Sequence, residues 1–364
     1  MKVKNHLDIL KLLLIYITLL DIISFNICKN SDSIIEIKIK KEGLQSIINE
    51  GYVQYLKEVN INSETQSEIK NSYIFNNNNS VVNMKFNDTF IDNCCGNMFL
   101  ELKSVIEIDL SNFTANNITT MENMFRGCSE LTSINFGDFD TSSVTNMNYL
   151  FYYCLSLSYV DLSKFNTEKV SSMIGMFRDC ILLSTIDLSN FNANNVISMK
   201  EMFWGCLNLN DLKISHIDTS KVSDMSYLFK DCKILSSIDL YHFDTSSVTT
   251  MEYMFSNCRE ITSFNFANFN TSFVVSMNYM FEGCTKLTSL DLSYFSTFYV
   301  KTMRGIFSNC QNLKSFNFEI IDEQIRQKVF TFACIFSFLF KNCEDEIITS
   351  IIYNFDTSNV TDIS

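Results

Sequence analysis

Cysteine is the residue with the most evident chemical potential in this chain of 364 residues, which contains thirteen of them. Thiols can bind zinc, form disulfides or act as nucleophiles. Eight of the cysteines recur every 26 residues, each three residues after a phenylalanine: Cys128, Cys154, Cys180, Cys206, Cys232, Cys258, Cys284 and Cys310. A zinc site needs several converging ligands, and the chain has no C-x-x-C pair. We therefore predict no metal site.

Two interpretations of this cysteine column are open. If successive repeats stack about one strand spacing apart, ~4.8 Å, neighbouring cysteines fall within the Cα–Cα range of disulfides. The cysteines also occupy an apolar position of the repeat, where a free thiol packs as a small hydrophobic side chain. We predict buried free thiols, with disulfides between successive repeats as the alternative.

Catalytic constellations are scarce. His6 lies at the extreme N-terminus, and neither His216 nor His242 has a reactive serine or cysteine motif nearby. The nine glycines form no phosphate-binding loop. The sequence predicts no enzyme and no cofactor.

The cysteines belong to a repeat of 26 residues that runs through most of the chain. One copy, residues 144–165, reads VTNMNYLFYYCLSLSYVDLSKF. Apolar residues in its first half are three or four apart, which suits a short helix or turns. Those at its end alternate, which indicates a half-buried strand. A fixed period of this length predicts a solenoid in which each coil packs only against its neighbours.

The repeat resembles the BspA-like leucine-rich repeats of bacterial surface proteins. The resemblance rests on MFRGCSELTSINF (124–136), MFRDCILLSTIDLSNF (176–191) and MFEGCTKLTSLDLSYFST (280–297). It implies an α/β repeat solenoid, with parallel strands on one face and short helices or turns on the other. It also implies a cell-surface or secreted protein that binds a protein or cell-surface ligand and contributes to adhesion.

The chain divides into four segments. A basic start followed by an apolar run makes residues 1–28 a predicted secretion signal. Residues 29–97 lie outside the repeat, alternate like strands and are expected to cap the first coil. The solenoid occupies 98–318. In 319–364 the repeat is irregular, because the next Phe-x-x-Cys pair returns at Phe340 about seven residues late.

Net charge and hydropathy indicate which classes of partner this protein does not bind. The net charge is −13, whereas nucleic acids and anionic membranes require a basic face. The apolar run Val329 to Phe340 is shorter than the roughly 20 residues that span a bilayer. We predict no nucleic-acid binding and no stable membrane span.

Two columns of polar or variable residues are candidate binding surfaces. Between the two apolar strand residues the repeat carries a predicted polar stripe, which either binds a cation or polar ligand or keeps the sheet solvated: Asp161, Asp187, Asp239 and Asp291. The position after the phenylalanine is the least repetitive. There Arg178, Trp204 and Lys230 follow one another in successive repeats, and Tyr, Trp and Arg are favoured at binding hot spots. They are a predicted interaction patch, the alternative being a random exposed column.

The favoured function is therefore a non-enzymatic, secreted or surface-exposed repeat protein for adhesion or ligand binding. Two alternatives are open. One is a cytoplasmic repeat scaffold for protein–protein interaction, in which the N-terminal apolar stretch is structural. The other is a purely structural coat module.

Overall fold

The computed structural model describes residues 33–87, 94–115, 117–214, 217–296 and 298–317, together with residues 341 and 343. The predicted secretion signal, and all of 319–364 except residues 341 and 343, lie outside this part of the chain. The N-terminal region contains one 3₁₀ helix, Glu50–Tyr55. Its strands are β1 (Ile34–Ile39), β2 (Gly43–Ser46), β3 (Leu56–Ile61), β4 (Glu64–Thr65), β5 (Ser72–Phe75) and β6 (Ser80–Phe86).

At residues 159–161, 237–239 and 263–265 the repeat forms no strand, contrary to the prediction. Short strands recur in the second half of the other described repeats, where the alternating apolar residues predict them. They are β7 (Val105–Asp109), β8 (Ser133–Asn135), β9 (Thr185–Asp187), β10 (Asp211–Lys213), β11 (Ser289–Asp291) and β12 (Ser315–Asn317). β7 pairs with β8, β9 with β10, and β11 with β12, each in parallel and in register with the next repeat. The predicted parallel arrangement is confirmed for these pairs.

A second parallel ladder runs through the first half of the repeat. Eight single bridges connect equivalent residues from Cys94 to Thr302, each to the residue 26 positions further on. Examples are Ser172 with Ser198 and Ser198 with Asp224. Equivalent residues thus stack without interruption from coil to coil. The chain folds as a repeat solenoid.

The segment around each Phe-x-x-Cys pair consists of turns, and the described repeats contain no helix there. The backbone N–H of Phe125 donates to Leu150 O in the next coil at 3.0 Å, whereas that of Arg126 donates to Asn123 O at 3.1 Å. Left-handed residues interrupt the segment, as at Asn123 (φ 55°) and Gly127 (φ 74°). An α-helix would direct every N–H along its own axis. Here every second N–H is used to join two coils, so turns replace the predicted short helices, and the α/β class predicted for the solenoid is wrong for the described repeats.

The N-terminal region continues the sheet of the solenoid. The strand order is β4-β3-β6-β1-β7-β8, and β1 pairs antiparallel with both β6 and β7. β1 and β6 coincide with segments predicted as strands from alternation, and Ile35, Ile37 and Ile39 are fully buried as that alternation requires. The first coil therefore does not end in an open strand edge at β7.

Stacked phenylalanine rings form the centre of the core. Consecutive rings lie 5.5–5.9 Å apart and within 15° of parallel in one column: Phe99, Phe125, Phe151, Phe177, Phe203, Phe229, Phe255, Phe281 and Phe307. From Phe99 to Phe281 every ring is at least 98 % buried. Aromatic pairs at such separations contribute about 0.5–1.5 kcal/mol beyond the burial of their area. The column therefore favours one register between coils.

The repeat cysteines lie beside this column and are buried, as their apolar position predicts. Each thiol donates a hydrogen bond to a backbone carbonyl of the preceding coil; Cys206 Sγ, for example, lies 3.1 Å from Phe177 O. The separation in sequence is 29 residues for Cys310 and Phe281 but 36 for Cys343 and Phe307. The difference of seven residues equals the delay of the Phe340/Cys343 pair in the sequence.

We expect the repeat thiols to be inert until the protein unfolds. Burial raises the pKa of Cys128 to about 12 and raises those of the other repeat cysteines well above their ordinary value, so the reactive thiolate is absent near neutral pH. Iodoacetamide followed by peptide mass spectrometry should modify half-buried Cys94 first. Cys128 to Cys310 should react only in guanidinium chloride. Disulfides between successive repeat cysteines would contradict this expectation.

Candidate interaction surface

Cationic and aromatic side chains alternate along the position that follows each core phenylalanine. In five successive coils the residues are Arg126, Tyr152, Arg178, Trp204 and Lys230. The Arg126 guanidinium lies 5.1 Å from the Tyr152 ring centroid, and Arg178 lies 5.2 Å from Tyr152 and 3.8 Å from Trp204. Lys230 Nζ lies 4.8 Å from Trp204. The structure thus brings together Arg178, Trp204 and Lys230, the predicted interaction patch.

A second column extends this surface towards the C-terminus. The Trp204 ring stacks on Tyr227 at 5.0 Å, Tyr227 on Tyr253 at 4.9 Å, and Tyr253 on Tyr279 at 4.8 Å. Lys230 Nζ also lies 4.8 Å from the Tyr253 centroid. We call these eight residues the cation–aromatic ladder: Arg126, Tyr152, Arg178, Trp204, Tyr227, Lys230, Tyr253 and Tyr279.

Three of the four tyrosines of the ladder occupy backbone positions that favour glycine or asparagine. Tyr227, Tyr253 and Tyr279 have φ values of 61°, 55° and 55°, which costs a non-glycine residue steric energy. The Tyr279 ring lies against Gly305 of the following coil. A Cβ atom at Gly305 would stand 2.3 Å from Tyr279 Cε1, so only glycine leaves room for the ring. Ring stacking offsets the backbone strain.

Trp204 is half-buried, not freely exposed as the sequence interpretation assumed. Arg178 covers one face of its ring and Tyr227 the other, and Nε1–H donates to Asp231 Oδ2 at 3.2 Å. Nor is the rest of this column uniformly exposed, because Ser256 is completely buried. Trp204 therefore presents an edge to solvent, and any ligand meets ring edges and charged groups instead of an open indole face.

One cation of the ladder, Arg178, is partly neutralised by carboxylates. Arg178 Nη1 lies 2.6 Å from Glu201 Oε2, and Arg178 Nε lies 3.5 Å from Asp179 Oδ2. Burial raises the pKa of Asp179, although the charge of Arg178 opposes that shift. Burial likewise raises the pKa of Tyr253 to about 12, with Tyr279 adding to it. The phenol is therefore neutral at physiological pH and can donate a hydrogen bond.

The aspartates of the predicted polar stripe stabilise backbone turns. Asp161, Asp187, Asp239 and Asp291 are exposed, and Oδ1 of each accepts a hydrogen bond of 2.9–3.0 Å from the backbone N–H two residues later. Asn135 makes the same contact with Gly137 N–H at 3.1 Å. These contacts are Asx-turns, which close the corner after the strand segment. The geometry supports the solvated-ladder interpretation of the stripe.

Two known protein families match this chain. Residues 93–206, 181–267 and 238–337 match the family described as "Mycoplasma protein of unknown function, DUF285". Residues 21–147 match the BspA type leucine rich repeat region with six copies. The chain belongs to the DUF285 family and is a BspA-like leucine-rich-repeat protein. No curated protein and no solved structure matches it.

The second match extends the relationship beyond the repeat frame of the sequence, because it includes the strands that precede Met98. In the described part of this BspA-like protein, no group of three or more His, Cys, Asp or Glu residues is placed to hold a metal ion. A search of the same residues for a helix with the length and hydropathy of a membrane span finds none.

The Asx-turn role of the stripe can be tested at Asp187. Hydrogen bonds from Ser189, and then from Lys213, lower its pKa to about 2. Because the unfolded pKa is higher, about 3.9, the stabilisation is complete above pH 4 and is lost as the pH falls towards 2. We expect Asp187→Ala to lower the free energy of unfolding by roughly 0.5–1 kcal/mol at pH 7.

Asp187→Asn is the matched control, since asparagine already fills equivalent positions at Asn135 and Asn265. This variant keeps the turn contact but not the charge, so it should lose less stability at pH 7 than Asp187→Ala and should lose less than the wild type when the pH falls to 3. Urea unfolding at pH 7 and pH 3 measures both effects. Equal losses in the alanine and asparagine variants at pH 7 would contradict the Asx-turn role.

Proposed function

We propose that this BspA-like protein is a non-enzymatic surface or secreted protein that binds a protein or cell-surface ligand, and that its binding contributes to adhesion. The cation–aromatic ladder is the observation that carries the proposal. It is a continuous row of Arg, Lys, Trp and Tyr side chains across seven coils. Such residues dominate binding energy at protein interfaces.

The construction of the ladder supports a binding role over a purely structural one. A core needs no charged groups, yet Arg126, Arg178 and Lys230 are held at the half-buried surface among aromatic rings. Their contacts order long side chains before a ligand arrives, which lowers the entropy cost of binding. BspA-type repeats are also typical of surface proteins that act through repeated faces instead of a pocket.

The proposal includes a division of the chain. Residues 1–28 direct secretion, 29–97 cap the solenoid, 98–318 carry the binding faces, and 319–364 form irregular terminal repeats. The antiparallel pairing of β1 with β7 supports the capping role. The Asx-turn contacts of Asp161, Asp187, Asp239 and Asp291 support a structural role for the stripe.

Attachment should depend on Trp204. Beads coated with the purified full chain are washed under shear on cells from its natural habitat, and the retained beads are counted. Trp204→Ala should reduce retention at least about fivefold, since hot-spot truncations cost 2 kcal/mol or more. Because the ring is half-buried, the variant should also lose about 1–2 kcal/mol of stability.

Tyr241→Ala is the matched control, because Tyr241 is a 54 % exposed aromatic residue outside the ladder. It should leave retention unchanged. Thermal unfolding verifies that both variants are folded at the assay temperature. Wild-type retention by a folded Trp204→Ala variant would remove the ladder from the binding surface.

Secretion predicts a processed N-terminus. Edman sequencing of the natural protein should begin between Ser24 and Cys28, and protease added to intact cells should degrade the chain. Cytoplasmic markers in the same cells should survive as the control. A natural protein that retains Met1 and resists external protease would favour the intracellular scaffold.

A further inference from the structure

The alternation of the ladder ends after Lys230, because Ser256 stands where the next ring is expected and Glu282 where the next cation is expected. Cations follow the core phenylalanine in every second coil, at Arg126, Arg178 and Lys230, and the next member of that series is Glu282. The aromatic surface nevertheless continues, because Tyr253 and Tyr279 stack at 4.8 Å in the same two coils as Ser256 and Glu282. A carboxylate thus stands where the three preceding members of the series are cationic.

The surroundings of Glu282 leave it able to accept a cation. Its described side-chain hydrogen bond is to Ser256 Oγ, at 3.2 Å from Oε2. In the described part of the chain, no lysine or arginine forms an ion pair with Glu282. The nearby Glu252, by contrast, accepts hydrogen bonds from Ser276 and Asn278.

Upstream coils show what such a position holds. Lys230 Nζ lies 4.8 Å from the centroids of both Trp204 and Tyr253, and Arg178 combines a ring contact with an ion pair to Glu201. A cation over an aromatic ring with a carboxylate beside it is a favourable arrangement even when partly exposed. Glu282 lies close enough to Tyr253 for its negative charge to help raise the pKa of that phenol, while the residue after Phe281 supplies no cation.

We propose that Glu282, with Tyr253 and Tyr279, receives a lysine or arginine side chain of a protein partner. The inference rests on the proposed binding function and specifies the partner as a basic protein surface. The net charge of −13 also favours a basic partner, because a negatively charged protein attracts positively charged ones. A single side chain at this position continues the alternation of charge and ring by one further step.

The site can be tested without the natural partner. The probe is the peptide acetyl-Gly-Gly-Lys-Gly-Gly-amide, together with its arginine and norleucine analogues. The full chain carries ¹³C-labelled tyrosine, and the ring signals of Tyr253 and Tyr279 are assigned from Tyr→Phe variants. The lysine and arginine peptides should shift these two signals in a saturable manner at millimolar concentration. The norleucine peptide should not.

Variants of Glu282 separate this site from general charge attraction. Glu282→Gln keeps an acceptor for Ser256 and should weaken the peptide at least about fivefold, as loss of a charged partner does. Glu282→Lys supplies the missing cation within the chain and should abolish the shifts. The control Glu260→Lys makes the same charge change at a residue paired with Lys286 and should leave peptide binding within about twofold.

Each outcome decides the inference. Saturable shifts that vanish only in the Glu282 variants support it. Shifts that persist in Glu282→Lys, that appear equally with norleucine, or that are absent from the wild-type chain overturn it. Bead retention is scored separately. Normal retention of Glu282→Lys refutes a role for the site in adhesion but leaves the proposed function standing, whereas absent wild-type retention refutes the proposed function itself.

Discussion

The rest of the structure depends on hydrogen bonds between backbones that are one repeat apart. An N–H such as that of Phe125 donates to Leu150 in the next coil, and the same offset recurs from the first described coil to the last. Each residue is thereby placed directly beside its counterpart in the next repeat. Every column must consist of side chains that tolerate one another at this spacing. Stacked phenyl rings satisfy the condition in the core, and thiols hydrogen-bonded to carbonyls satisfy it beside them.

The same constraint produces the surface that we assign to binding. Joining coils through every second N–H requires left-handed residues in the turn segment, and the chain meets this need with Gly, Asn and Asp in many coils. Tyr227, Tyr253 and Tyr279 meet it at a steric cost. Their stacking offsets the cost and displays a row of phenol groups. A backbone requirement and a functional surface thus occupy the same positions.

Contacts within the protein also distinguish residues that look alike in the sequence. The four aspartates of the stripe are exposed, yet each closes its own turn. Trp204 is the most obvious hot-spot residue, but both of its faces are already covered. Glu282 belongs to no sequence motif. We propose it as the site for a partner's cation because of its place in the alternating series, in the same coils as the stacked Tyr253 and Tyr279 rings.

The sequence by itself determined the architecture of this protein and left its surface contacts open. Period and apolar pattern predicted the solenoid, most of the parallel strand segments and the burial of Cys128 to Cys310, because each depends on position within one repeat. Turns in place of helices, the half-burial of Trp204 and the tyrosine stack were decided by the tertiary structure. Side chains lean across coil boundaries, so Trp204 stacks on Tyr227, 23 positions away, in addition to contacting its repeat counterparts Arg178 and Lys230. Periodicity aligns positions within a column, whereas the direction of a side chain determines which column it touches.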